Sequence, residues 1–412
     1  MKTLAVVGGG AAGFFCAVNA ARLAPGLKVI ILEKSNKLLS KVKISGGGRC
    51  NVTHDCSSIA EMAACYPRGN KFVKKAFHHY FVSDTINWFL ERDVDLKSEP
   101  DGRMFPVSDS SQTIIDCLLR EASRFSIEIR MQTEVKGLRF ESDKWILNCA
   151  DRNIIADDVC IASGGFPKAQ QFDWLRSTGH TFADPVPSLF TFNMPGNPIT
   201  SLMGVAVEAT VKINGSKLSE TGSVLITHWG LSGPAVLKLS AWAARELNEE
   251  QYNFSITVNW LPATNENNLI KEMQQHRFSL ASQKIVNRNP FGLPVRLWQY
   301  HLQQCGINED IRWADLPAKQ QNMLVKNLCS QSFIIKGKTT YKEEFVTAGG
   351  ISLSEVDVNT MRSKLQPHLF FAGEIIDVDG ITGGYNFQNA WTTGFIAASA
   401  IASGKALEAH IS

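Results

Sequence analysis

No stretch of these 412 residues is apolar for long enough to cross a membrane; every window falls well short of the roughly 20 apolar residues that a span needs. The opening MKTLAVVGGG has one Lys followed by apolar residues, but glycines interrupt the run after Val7, so it reads as a strand entering a turn and not as a signal peptide. A cytosolic protein without a membrane partner is expected. Also missing are G-x-x-x-x-G-K-[ST], H-E-x-x-H, G-x-S-x-G and C-x-x-C. P-loop phosphoryl transfer, zinc hydrolysis, serine hydrolysis and dithiol reduction therefore have no motif to rest on. The nine cysteines form no short pairs, which argues against a disulfide framework, fits a reducing compartment and leaves no metal site to assign. Lys and Arg number 42 against 39 Asp and Glu, a formal net charge of +3, and they are scattered along the chain. No nucleic-acid partner is expected from that balance.

Apolar residues make up 44% and charged residues 20%, an ordinary globular composition, and the length calls for two or three domains. The N-terminus alternates strand and helix. TLAVV at 3 to 7 and KVIILE at 28 to 33 are short buried-strand runs that flank an Ala-rich helix, a βαβ unit of the usual size. Residues 71 to 92 and 109 to 125 have helical periodicity, and strands are expected at 127 to 131, 134 to 140, 144 to 150 and 158 to 163. After about residue 187 the texture changes. Val205, Val207, Ala209, Val211 and Ile213 alternate with Glu208, Thr210 and Lys212, Asn214-Gly215 signals a hairpin, and Phe254, Ile256, Val258 and Trp260 repeat the pattern. Polar helical stretches follow between about 262 and 328.

The chemistry-bearing motifs sit mostly at the two ends. Gly8, Gly10 and Gly13, with Ala11 and Ala12 between them, fit G-x-G-x-x-G after a buried strand and before a helix, a site for a pyrophosphate on a helix N-terminus. Glu33 follows Gly13 by twenty residues at the end of the second strand, placed to accept from a free ribose 2′-hydroxyl. That disfavours NADP and leaves NAD and FAD open. The far end of the chain favours FAD. FFAGEIIDVDGITGGYNFQNAWTTGFIAASA at 370 to 400 joins a strand, Gly373, Glu374, a glycine-rich loop and a helix starting near Gly383, Gly384, Tyr385 and Asn386. An acid suits the ribityl hydroxyls, and a helix N-terminus suits the charge a flavin gains at its N1 edge on reduction.

KISGGGRCNVT, at 43 to 53, sets three glycines beside Arg49, Cys50 and Asn51, a backbone able to lie flat on a planar or phosphorylated ligand. VCIASGGFPKA brings Ala162, Ser163 and Gly164 to a strand end, and VTAGGISLSEVD carries a comparable glycine pair. In THWGLSGPAVLKLS, Ser232 is the expected N-cap of a helix with Pro234 in its first turn, and His228 stands just ahead as a candidate substrate contact. No side chain stands out by spacing as a catalytic acid or base.

With GGGAAG, KISGGGRCN, THWGLSGP, VTAGG and AGEIIDVDGITGGYNFQNAWTTGFIAA in this order over nearly the whole chain, the sequence resembles the HI0933-like family, also known as YhiN/BaiN-like NAD(P)/FAD-dependent oxidoreductases. The resemblance implies an α/β fold: a Rossmann-like FAD-binding domain with an inserted antiparallel β-barrel that itself carries a small helical subdomain. The parts would be residues 1–188 and 344–412 for the FAD domain, 189–260 and 328–343 for the barrel, and 261–327 for the helices. It also implies that Gly8, Gly10, Ala12, Gly13, Glu33 and Lys34 hold the AMP half of FAD, with Ala11 and Val135 as further cofactor-binding residues. Arg49, Cys50, Asn51, Ala162, Ser163 and Gly164 would lie near the flavin, Glu374 at the ribityl chain, and Gly384, Tyr385 and Asn386 at the flavin edge, with Gly373 and Gly383 also binding the cofactor. The implied activity is hydride transfer between flavin N5 and a small-molecule substrate, with NAD(P)H docking transiently or oxygen as co-substrate, since no second nucleotide fingerprint is present. Family members act on different small molecules, bile-acid intermediates among them, so the substrate stays open. The alternatives are a flavin-dependent RNA-modifying enzyme and a flavin-binding sensor without turnover.

Overall fold

The computed structural model describes residues 1–150, 152–339 and 346–404. The chain divides into two compact units, Met1–Ser188 with Lys342–Ser412, and Leu189–Tyr341. The expected boundary at residues 343 and 344 lies outside the described residues.

In the first unit β1 (Thr3–Val7) and β2 (Lys28–Leu32) pair in parallel, and after its first residue neither strand has a solvent-exposed side chain. Such strands need cover on both faces. Helix α1 (Ala11–Leu23) supplies one cover, and Ala12 to Ala21 are all buried along it. The helical pattern at 71 to 92 resolves into two pieces, α2 (Asn70–Ala76) and α3 (Val82–Leu90). The break has a local cause: the Phe81 N–H donates to Asp84 Oδ2 at 2.7 Å, which caps a new helix start. The chain continues through α4 (Ser111–Arg124), β3 (Glu128–Arg130), an antiparallel meander over 135–156, β4 (Asp158–Ile161) and β5 (Phe182–Pro187).

The second unit is an antiparallel sheet of seven strands: β6 (Thr191–Asn193), β7 (Ala206–Ile213), β8 (Ser219–Ile226), β9 (Gly230–Ser232), β10 (Asn253–Asn259), β11 (Gln331–Lys336) and β12 (Lys338–Thr339). Their order is β11-β10-β7-β8-β9-β6-β12. The alternation read from the sequence holds, since Ala209, Val211 and Ile213 are buried while Glu208 and Lys212 are exposed. Among the described residues the strands are ordered as one sheet and not as the expected closed barrel. The two edges, β11 and β12, are successive stretches of one segment parted by Gly337, the first pairing with β10 and the second with β6.

Helix α5 (Pro234–Trp242) also differs from expectation, because Gly233, not Ser232, is its N-cap. Ser232 is the last residue of β9, and at Gly233 φ is +94° with the chain against Ser223 O, so only glycine fits there. Helices α6 (Glu266–Ser279), α7 (Val295–Gln304) and α8 (Ala318–Cys329) follow. They do not form a subdomain of their own. Leu269, Leu297, Trp298, Trp313, Leu324 and Leu328 belong to the same apolar cluster as Ile256, Val258 and Trp260 of the sheet. A shared core makes helices and sheet one layered body.

The chain then returns to the first unit with β13 (Thr347–Ile351), antiparallel to β5, with β14 (Leu369–Phe371), and with α9 (Tyr385–Ser403). The parallel sheet reads β14-β4-β1-β2-β3, so the strand made last lies beside β4. Gly394 lets α9 approach α1 closely: a Cβ there would lie 2.9 Å from Ala12 O. No described helix is long and apolar enough to cross a membrane.

One core residue of the second unit titrates abnormally. His301 is fully buried against Trp260, neither ring nitrogen has a partner among the described residues, and burial pushes its pKa down to about 3. The unfolded chain takes up a proton on this ring below about pH 6.5, whereas the folded chain resists it. Stability should therefore fall with pH through that window by up to about 1.4 kcal/mol per pH unit. His301→Leu is expected to abolish this part of the acid loss and to be neutral or stabilising near pH 7. Urea midpoints of both proteins measured between pH 7 and about pH 4 check this; parallel curves would refute it.

Candidate functional site

The glycine turn after β1 is defined by what its backbone touches. Gly8 has φ +118° and lies against Ala162 at the end of β4, where any Cβ would overlap the Ala162 carbonyl. Gly13, in the first turn of α1, lies on the Gly8 carbonyl just as tightly. Gly10 is different. It is the N-cap of α1 at φ −94°, no side chain caps the helix, and a Cβ there would meet nothing within 4 Å. The first N–H groups of α1 thus face open space, the arrangement that receives a pyrophosphate.

Glu33 braces this turn. Its Oε2 accepts from Gly9 N at 2.9 Å and its Oε1 from Ser35 N at 2.8 Å, and each oxygen keeps a lone pair for a further donor. Beside it is a cavity of about 390 Å3 lined by Gly8, Glu33, Lys34, Val135, Ser163, Phe166 and Trp174, among others. The size and the mixture of apolar walls with a few polar groups suit a planar heterocycle. Lys34 and Val135 both line it, with the Lys34 Nζ 5.4 Å from the Phe166 ring. Phe166 and Trp174 were not singled out by the sequence, because aromatic residues in a loop and a short helix carry no periodic signal.

A second group of residues gathers around Glu374. Its Oε1 accepts from Thr347 N at 2.8 Å and its Oε2 pairs with Lys41 Nζ at 2.5 Å. Gly373 donates its N–H to Thr393 Oγ1 at 2.8 Å and lies on Ala12, which ties this turn to α1 and α9. Gly164 and Gly165 pass alongside, and a Cβ on Gly165 would lie 2.5 Å from Thr347 Oγ1. The hydroxyls of Ser163 and Thr347 are buried without a partner among the described residues. Unsatisfied buried hydroxyls beside an acid are what a ligand rich in hydroxyls and amides would complete. Lys41 and Thr347 are therefore additions to the expected set.

The third group joins the GGGRCN loop to the start of α9. With its amide turned to suit its neighbours, Asn51 donates from Nδ2 to Thr53 O at 3.0 Å and accepts at Oδ1 from Gly384 N at 2.9 Å. Gly384 lies directly on Thr53 O and has φ +95°. Asn386 closes its own turn, accepting from Gly380 N at 2.9 Å and donating to Gly380 O at 2.8 Å. Tyr385 stacks on His54 with ring centroids 4.7 Å apart, and its carbonyl accepts from Tyr66 OH at 2.5 Å. Burial pushes the Tyr385 phenol pKa up, so this group keeps its proton. The loop bearing this turn is anchored by a buried ion pair, Arg68 to Asp379, in which Arg68 Nε donates to Asp379 Oδ1 at 2.6 Å.

Arg49 and Cys50 have surroundings unlike those of their buried neighbour Asn51. The Arg49 guanidinium lies 3.9 Å from the Phe105 ring centroid and donates to Glu99 Oε1 at 2.6 Å, which raises its pKa and spends its charge locally. Cys50 is fully buried with φ +63°, and burial pushes its thiol pKa up to about 12, so it is no thiolate. His228 belongs to the second unit, between β8 and β9, with its ring against Trp229. Among the described residues no group of His, Cys, Asp and Glu could hold a metal.

Comparison with known proteins gives several relatives along the full chain. A 3-dehydro-bile acid delta(4,6)-reductase from Clostridium scindens is 28% identical over 419 residues, covering 98% of this chain and 99% of that protein. A ribosomal RNA dihydrouridine synthase from Escherichia coli is 30% identical over 415 residues, covering 97% and 98%. A ribosomal RNA dihydrouridine synthase from Haemophilus influenzae is 29% identical over 408 residues, covering 96% and 97%. Among solved structures, the 3-ketosteroid delta1-dehydrogenase of Sterolibacterium denitrificans aligns over 98% of this chain and all of its own with a TM-score of 0.53 at 12% identity, a likeness of fold. The model of the HI0933-like protein Rossmann domain matches residues 2–400, and the chain belongs to that family.

Proposed function

We propose that this chain, an FAD-dependent oxidoreductase, reduces a carbon–carbon double bond conjugated to a carbonyl group. The observation that carries the reading is the convergence of an open helix N-terminus at Gly10, the buried unpartnered hydroxyls of Ser163 and Thr347, and the Glu374 carboxylate within one unit. These groups fit FAD: N–H donors for the pyrophosphate, Glu33 for the ribose, Ser163, Thr347 and Glu374 for the ribityl chain, and the start of α9 for the flavin edge. FAD, once reduced, supplies the hydride at N5. The chain's part is to bind and orient. The turn held by Asn51 and Asn386 presents the uncapped start of α9, whose N–H groups stabilise negative charge at the cofactor's edge. The Tyr385 phenol keeps its proton beside that turn.

The relatives narrow the reaction more than the substrate. A delta(4,6)-reductase of a 3-dehydro-bile acid and a dihydrouridine synthase both add two hydrogens to a ring double bond conjugated to a carbonyl. Conjugation makes the far carbon accept hydride, so one flavin site can serve either ring. A small steroid-like substrate is the first reading. A uracil base within RNA is the second, favoured by the two dihydrouridine synthases among the relatives. The experiment is anaerobic reduction of the purified holoprotein with NADH or NADPH, followed by addition of a 3-oxo-delta(4,6) steroid or of unmodified ribosomal RNA. Return of the oxidised-flavin spectrum with formation of the saturated product is expected with one of them. A flavin that stays reduced with both would refute the proposal.

The cofactor assignment has its own test. Gly10→Val should fold with the thermal midpoint of the wild-type apoprotein, because φ is −94° and nothing lies within 4 Å of the added Cβ, yet it should lose FAD by blocking the pyrophosphate. Cys50→Ser should keep FAD. Flavin released on denaturation and measured per mole of protein checks both; full occupancy in Gly10→Val would overturn the assignment.

A further inference from the structure

The surface next to the Arg68–Asp379 anchor carries an unbalanced positive charge. Between Glu61 and Asp84 the chain has Arg68, Lys71, Lys74 and Lys75 and no carboxylate side chain. On α2 the apolar residues Phe72, Val73 and Ala76 face inward, while Lys71, Lys74 and Lys75 are exposed, as are His78 and His79 just beyond. Facing α2 is the segment Leu353–Lys364, and the two enclose a cleft of about 510 Å3. Lys71, Lys75 and Lys364 line it, with Asn70, Asn359 and Ser354 as further polar groups. The carboxylate in the lining, Asp357, is occupied by its own turn: it accepts from Asn359 N at 2.9 Å and from Thr360 Oγ1 at 3.0 Å. Among the described residues no carboxylate lies within ion-pair distance of Lys71, Lys74 or Lys75. Lys364 donates to Ser354 O at 2.8 Å and keeps two N–H groups for another acceptor.

One loop links the wall of this cleft to the candidate site. Gly69, in its wall, packs on Val378, and Arg68 holds the next residue, Asp379, in the loop that ends at Gly384 and Tyr385. The loop that carries the turn assigned to the flavin edge is therefore tethered beside this cleft. A steroid nucleus has no use for a row of lysines. A polynucleotide has, because phosphates fix its register while a single base is delivered to the reacting centre. Lysines suit the phosphates as point charges, and the amides and hydroxyl in the wall suit phosphate oxygens and sugar hydroxyls.

We infer that the cleft between α2 and residues 353–364 binds the phosphodiester backbone of an RNA substrate, with Lys71, Lys75 and Lys364 as its phosphate contacts. The inference rests on the RNA reading above. It fits a near-neutral chain, because the cation excess is local and not a property of the whole molecule.

The test measures binding of the holoprotein to unmodified ribosomal RNA over a range of salt, for wild type, for Lys71→Ala/Lys75→Ala/Lys364→Ala and for the corresponding triple Arg variant. Loss of three phosphate contacts should lower the slope of log affinity against log salt by about 2 and weaken binding about 50-fold near 0.15 M salt. The Arg variant should bind like wild type. FAD content and thermal midpoint should be equal in all three proteins. If wild type binds RNA and the triple Ala variant binds as well, the cleft is not the contact, although the RNA reading survives. Wild type that fails to bind RNA at any salt removes both, and leaves the steroid reading untouched. Binding to vesicles containing phosphatidylserine, lost in the triple Ala variant without any RNA binding, would reassign the patch to a lipid surface.

Discussion

Everything in the candidate site depends on one steric fact: the backbone after β1 passes so close to the end of β4 and to the first turn of α1 that no side chain fits at Gly8 or Gly13. The contact fixes where α1 begins and in which direction its free N–H groups point. It also joins β4, and hence Ser163, Gly164 and Gly165, to the same spot. A substituent at either glycine would separate the helix from the strands and take the anion-binding end with it. Gly10 is the exception that gives this constraint its purpose, since of Gly8, Gly10 and Gly13 it alone has room around it and it faces the open space.

The site is assembled from segments far apart in sequence, each secured by a polar contact that replaces the missing chain continuity. Asn51 and Thr53 hold Gly384; Thr347 and Lys41 hold Glu374; Arg68 holds Asp379. Most of these partners are half-buried or buried, so each bond is less screened by water and its loss leaves a desolvated group behind. The Arg68–Asp379 pair is the most enclosed of them, with the Asp379 side chain fully buried and its pKa raised by that burial despite the guanidinium beside it. Such a pair contributes more to fixing a loop in one place than to net stability.

Much of the first unit was legible from residues alone. Continuous apolar runs such as TLAVV predicted buried parallel strands, and the glycine fingerprint with Glu33 predicted the turn, because both signals are local. The strand and helix at the C-terminus were legible for the same reason. Less legible was the break between α2 and α3, where periodicity ran on but Asp84 capped a fresh helix. The cap of α5 was misplaced by one residue because Ser232 looks like an N-cap in sequence, while the ladder with β8 had already claimed it as strand. Whether the sheet closes as a barrel and whether the helices own a core or share one was not legible, because both depend on packing that alternation patterns do not contain. Of the expected site residues, Arg49 shows the limit best, since its charge read as ligand-directed and is neutralised by Glu99, a partner fifty residues away.

The sequence by itself determined the elements that need only neighbours along the chain: the βαβ unit, the glycine turn, the acid after the second strand, and the strand, turn and helix with which the first unit is completed. Those follow from local sterics and from hydrophobic periodicity, which a single stretch of chain carries whole. Only the tertiary structure decided which acid meets which lysine, that Ser163 and Thr347 are left with unsatisfied hydroxyls in one place, and that Lys71, Lys75 and Lys364 line a single cleft. Lys364 lies almost three hundred residues beyond Lys71, and electrostatic fields add by distance in space, not by distance along the chain.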